Sequence, residues 1–151
     1  MKGSIFEIFS NLARAAGAPR VLCADDDPDV RALCASALTK AGYATDLATT
    51  GREALARIEE NEYAAILLDL SMPSLHGATV LNLLHREHPE ILRRIIIVTG
   101  MPDAVVAGVP EQVAAVLHKP VTIERLLAEV NQVSAKPKRR RGAENDATAR
   151  L

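Results

Sequence analysis

Tryptophan is absent from this sequence, and two tyrosines and two phenylalanines are its only aromatic residues, so a core of stacked rings is excluded and aliphatic side chains must fill the interior. Cysteine is nearly as scarce. Cys23 and Cys34 form no CxxC pair and have no histidines at ligand spacing, which argues against a disulfide scaffold or a zinc site and leaves them as reduced packing residues. Neither sign of charge prevails: the net charge of −1 argues against a generally basic nucleic-acid binder. No apolar run reaches the length of a membrane span, and Glu7, Asn11 and Arg14 interrupt the opening segment where a signal peptide would stay apolar. The expected compartment is the cytoplasm.

What is present is enough for one domain of ordinary size, with 48% hydrophobic and 25% charged residues among 151. Between Arg20 and Ser134, short β-like runs alternate with helical periodicity, the pattern of five βα units around a parallel sheet. The first run, 21–24, precedes Asp27 as a helix cap and Pro28 in the first helical turn. Val30, Leu33, Cys34, Ala37, Leu38 and Ala41 then recur at helical spacing, and Gly42 offers a left-handed stop. Residues 44–48, with Thr45 and Asp46, read as a weaker strand near a sheet edge. Thr50 and Glu53 form a capping box. The run 64–68 is apolar on both faces, as a central strand requires. Residues 95–98 and 113–117 supply two further strands, Gly108 and Pro110 restrict the helix between them to a short or irregular one, and Thr122 caps the last helix.

The polar residues at the ends of these runs carry the chemistry. Asp25, Asp26 and Asp27 follow the first run, Asp69 the third, Thr99 the fourth and Lys119 the fifth. In a parallel sheet the carboxyl ends share one edge, so these groups converge on a single crevice. Crowded carboxylates repel one another, a conflict that a small hard cation such as Mg²⁺ relieves while leaving room for a phosphoryl oxygen. Asp69 is then placed as a nucleophile on phosphorus, with Lys119 as a compact counter-charge and Thr99 as a hydroxyl donor. Asp27 is assigned to capping rather than metal binding.

The acidic cluster, the Asp69-Leu70-Ser71-Met72-Pro73 segment, Thr99-Gly100 and Lys119-Pro120, in this order, resemble the receiver domain of two-component response regulators over about Arg20 to Ser134. The resemblance implies a flavodoxin-like, doubly wound (βα)5 fold with a five-stranded parallel sheet in the order 2-1-3-4-5. It implies that Asp69 accepts phosphate from a histidine kinase or a histidine phosphotransfer protein, that Asp26, Asp69 and the Ser71 backbone carbonyl ligate Mg²⁺, and that Asp25 acts through water. It also implies a cis peptide bond before Pro120. Two departures stand out. Val116 occupies the place where the family usually carries an aromatic switch residue, and the usual Gly-Ala-Asp turn before the fifth strand is missing.

Three segments follow from this reading: an amphipathic N-terminal piece (1–18), the receiver domain (19–134) and a basic tail (135–151). Ile5, Ile8, Phe9 and Leu12 share one helical stripe with Phe6 beside it, a pattern assigned to a partner contact or a homodimer. The tail, with Lys136, Lys138, Arg139, Arg140 and Arg141, is expected to be a solvated, disordered end. Too little sequence follows Ser134 for an output domain, so the expected function is a single-domain regulator that acts on an unidentified downstream protein and catalyses only its own phosphorylation and dephosphorylation. Two other readings stay open: a haloacid-dehalogenase-like phosphatase, which would want a second acid where Ser71 stands, and a phosphorylation-independent interaction module. His85 and His88 are assigned as solvated side chains without a metal role.

Overall fold

The computed structural model describes residues 5–135. Beyond Ala135 the basic tail lies outside the described residues. The elements are α1 (Ile5–Ala15), β1 (Arg20–Ala24), α2 (Pro28–Lys40), β2 (Ala44–Ala48), α3 (Gly51–Glu60), β3 (Ala65–Leu68), α4 (Gly77–Glu87), a 3-10 turn (Pro89–Arg94), β4 (Ile95–Thr99), α5 (Asp103–Val106), β5 (Ala115–His118) and α6 (Ile123–Ser134). The five strands form one sheet in the order β2-β1-β3-β4-β5, and every pairing is parallel. The parallel βα arrangement is the one expected from the alternation of runs, and the strand order is the one the receiver resemblance implies.

Side-chain alternation along the strands divides the interior into two layers. Leu22, Ile66, Leu68, Ile95 and Ile97 pack with Ile58, Val80, Leu81 and Leu84 on one face. On the other, Val21, Cys23, Leu67, Ile96 and Val98 pack with Leu38, Leu126 and Val130. Aliphatic side chains dominate both layers. The two tyrosines are buried, Tyr43 beside the second layer and Tyr63 in the first.

Local chemistry sets the helix starts. Asp27 Oδ1 accepts the Asp29 N–H at 2.9 Å, and Thr122 Oγ1 accepts the Arg125 N–H at 3.2 Å. Thr50 likewise accepts from Glu53, but the reciprocal half of the capping box is displaced by one residue, since Glu53 Oε2 accepts from Thr49 N and Oγ1 rather than from Thr50. Gly42 ends α2 at φ +94°, a left-handed conformation that side-chain-bearing residues rarely adopt.

Three positions differ from the sequence reading. Leu33 and Ala41 are exposed, because Cys34, Ala35, Ala37 and Leu38 form the stripe of α2 that meets the sheet. Leu33 instead borders a groove of about 450 Å³ between α2 and α6, with Val30, Pro120, Val121 and Leu126. The fifth strand begins two residues later than expected, at Ala115.

Candidate functional site

β1, β3, β4 and β5 end at the same edge and deliver the acidic, hydroxyl and ammonium groups there. Asp25 leaves β1 with its N–H bonded to Ala48 O, and Asp69 leaves β3 with its N–H bonded to Ala24 O, so the sheet ladder itself fixes the spacing of the two carboxylates. Lys119 is placed in the same way: its N–H donates to Thr99 O at 2.9 Å. The Lys119–Pro120 peptide bond is cis.

Lys119 Nζ donates to Asp25 Oδ2 at 2.8 Å and to Asp69 Oδ2 at 3.4 Å, joining the buried carboxylates from two strands. Their remaining oxygens are held by backbone donors. Asp25 Oδ1 accepts the Asp27 N–H at 2.9 Å, and Asp69 Oδ1 accepts the Ser71 N–H at 3.1 Å. Asp26 is exposed at the mouth, yet Asp25, Asp26 and Asp69 each offer a carboxylate oxygen within 4.8 Å of the others. Thr99 is fully buried, and its Oγ1 accepts the Met101 N–H at 3.0 Å. Ser71 lies in the loop two residues past Asp69, and Val116 stands opposite Ile97 in the β4–β5 ladder.

Burial pushes the Asp69 carboxyl above its ordinary range, and the Asp25 charge adds to that; the Ser71 N–H and the Lys119 ammonium oppose the rise without cancelling it. Burial would lower the Lys119 ammonium, but the hydrogen bond and charge of Asp25, reinforced by Asp69, raise it overall. One ammonium therefore serves two buried carboxylates, and Asp69 retains a cost of ionisation that a further cation would remove. Three hard oxygen donors with no sulfur or nitrogen among them suit a divalent ion such as Mg²⁺.

Gly77 gives the site a constraint that the sequence did not signal. A Cβ there would lie 1.9 Å from Asp69 O and 2.8 Å from Leu70 Cα, so the start of α4 can pack against the backbone that follows β3 only through a glycine. Arg31 likewise carries no sequence signal for its role. Its Nη1 donates to Asp25 O at 2.8 Å, bracing the acidic turn from α2.

The response regulator receiver domain family matches residues 21–131. The chain belongs to that family. Among curated relatives, the transcriptional regulatory protein PrrA of Mycobacterium tuberculosis is 34% identical over 125 residues, which cover 83% of this chain and 52% of PrrA. This chain thus spans about half the length of such relatives. Among solved structures, the Francisella response regulator 1452 receiver domain is 30% identical with a TM-score of 0.69, covering 77% of this chain and 96% of its own. The response regulator protein TrrA from Thermotoga maritima, in complex with Mg(2+)-BeF, is 25% identical with a TM-score of 0.68, covering 76% of this chain and 98% of its own. The receiver fold and the two-component class follow from these matches. Among the described residues no helix is long and apolar enough to cross a membrane.

Proposed function

We propose that this receiver is an Mg²⁺-dependent phosphoacceptor whose acceptor is Asp69. The observation that carries the reading is the buried Asp69 carboxylate, 3.4 Å from the Lys119 ammonium and grouped with Asp25 and Asp26. Asp25, Asp26, Asp69 and the Ser71 carbonyl would hold the ion, which when bound neutralises charge on the phosphoryl oxygens. The similar TrrA protein, solved in complex with Mg(2+)-BeF, supports that assignment by likeness.

In the transfer step an Asp69 carboxylate oxygen forms a bond to phosphorus as the P–N bond of a donor phosphohistidine breaks, its electron pair leaving with the imidazole nitrogen. Lys119 holds the acceptor oxygen in place and then meets a phosphoryl oxygen. Thr99 donates its hydroxyl to another phosphoryl oxygen, releasing the Met101 N–H and drawing the loop after β4 inward. Hydrolysis later places a water oxygen on phosphorus and returns the Asp69 carboxylate.

Val116 provides no ring to follow Thr99, so the signal leaves through the loop and the short α5 rather than through an aromatic rotamer. The donor is a histidine kinase or histidine phosphotransfer protein, and a downstream protein binds the phosphorylated form. We place this exchange in the cytoplasm, where the free, buried Cys23 and Cys34 stay reduced.

Purified protein given Mg²⁺ and a small phosphodonor should gain the mass of one phosphoryl group on Asp69, and Asp69→Asn should gain none. Sustained turnover of phosphate esters would instead support the phosphatase reading. The absence of a labelled Asp69 with a competent donor and metal would reject the proposal.

A further inference from the structure

The two faces of α1 have opposite surroundings. Phe6 and Ala13 are half-buried and Ser10 is buried, whereas Ile5, Ile8, Phe9 and Leu12 are 74%, 50%, 55% and 61% exposed. Polar groups dock the helix. Ser10 Oγ donates to Thr45 O at 2.9 Å and accepts the Thr45 N–H at 3.0 Å, satisfying both outward backbone groups of that edge-strand residue. Arg14 adds an ion pair to Asp46. A surface helix normally turns its apolar side to the core and its polar side to water. Here docking is complete and the apolar stripe still faces outward.

Those four side chains expose about 450 Å² of mainly apolar surface, within the range of patches that are often functional on a soluble monomer. The residues of this sequence outside the described range are ill suited to cover it: 1–4 are Met-Lys-Gly-Ser, and 136–151 contain one large aliphatic residue, Leu151, against many charged ones. The stripe is, however, complementary to itself. Ile5 lies three residues before Ile8, and Leu12 three residues after Phe9. A two-fold axis between Ile8 and Phe9 therefore brings Ile5 onto Leu12 of a second copy and Ile8 onto Phe9 of that copy, with the helix dipoles antiparallel.

We propose that α1 is a homodimerisation element: its polar face clamps the receiver's edge strand, and its apolar face packs antiparallel on α1 of a second copy of this chain. Two stripes bury about 900 Å² before flanking groups are added, the size of a weak, concentration-dependent interface.

Sedimentation equilibrium of the full chain from about 1 to 500 µM, a range suited to weak association, should show the mass rising toward twice 16.2 kDa. Ile8→Glu and Phe9→Glu should each remain at the monomer mass, with unchanged circular dichroism because both positions are exposed. Oxidation of an equimolar mixture of Ile5→Cys and Leu12→Cys proteins should give a covalent heterodimer, and either protein alone should give little. A wild type that stays monomeric throughout overturns the proposal, as does a dimer that survives both glutamate substitutions. Monomeric protein that sediments with phosphatidylcholine–phosphatidylserine vesicles through this helix would also overturn it, assigning the stripe to a lipid surface.

Discussion

Lys119 Nζ and Asp25 Oδ2 lie 2.8 Å apart although 94 residues separate them in sequence. The contact bridges the first and last strands of the chain at the acidic edge and holds an ammonium in place beside Asp69. Without a divalent ion, Lys119 supplies the counter-charge for both buried carboxylates.

Lys119→Ala should therefore destabilise the metal-free protein more than the Mg²⁺-loaded one. The expected loss in chelator is about 1–2 kcal/mol, below that of a fully buried pair because 26% of the lysine side chain is exposed. Mg²⁺ should recover most of it by restoring positive charge. Urea unfolding in EDTA and in Mg²⁺ checks this, and equal losses in both would contradict the shared-cation account.

Asp69→Asn acts in the opposite direction. Burial raises the Asp69 carboxyl, so its ionised form is disfavoured in the folded protein near neutral pH, and a neutral amide removes that cost. The metal-free midpoint of thermal unfolding should hold or rise, while the rise on adding Mg²⁺ should shrink relative to wild type.

A second carboxylate governs acid stability. Burial would raise Asp46, but hydrogen bonds from Tyr63 and Arg20, with the charges of Arg14 and Arg20, outweigh it and hold the group below its usual range. A depressed carboxyl contributes stability above its unfolded value, near 3.9, and loses it as pH falls through the folded value. Asp46→Asn should thus cost about 2 kcal/mol at neutral pH, with the gap from wild type narrowing below about pH 4. A gap independent of pH down to acid unfolding would refute the assignment.

Gly77→Ala tests the packing beneath Asp69. The new methyl would meet Asp69 O at 1.9 Å, and backbone cannot yield as a flexible side-chain tip can. A loss of about 3 kcal/mol or more is expected, together with slower phosphorylation of the fraction that still folds.

Ser10→Ala probes the edge clamp. Losing its hydroxyl leaves the Thr45 N–H and C=O without their partner, at a cost of about 1–3 kcal/mol. Hydrogen exchange at the Thr45 amide should accelerate well beyond that at the inner strands. Unchanged protection would mean that α1 does not seal the edge.

By itself the sequence determined the alternation of strands and helices, the caps at Asp27, Thr50 and Thr122, and the placement of Asp25, Asp26, Asp69, Thr99 and Lys119 at strand ends. These features are legible because periodicity and capping are local, and parallel connections carry every strand's carboxyl end to one edge. Only the tertiary structure decided that Asp25 rather than Asp26 is buried against Lys119, that Gly77 must lack a side chain, and that Leu33 lies outside the core. It also decided that α1 docks by its polar face onto Thr45 and Asp46. The docking of α1 and the burial of Asp25 rest on contacts far apart in sequence, 35 positions for Ser10 with Thr45 and 94 for Lys119 with Asp25. A helical stripe specifies which residues lie together on a face; the partner that covers that face is set by the shape and unsatisfied hydrogen bonds of the surface it meets.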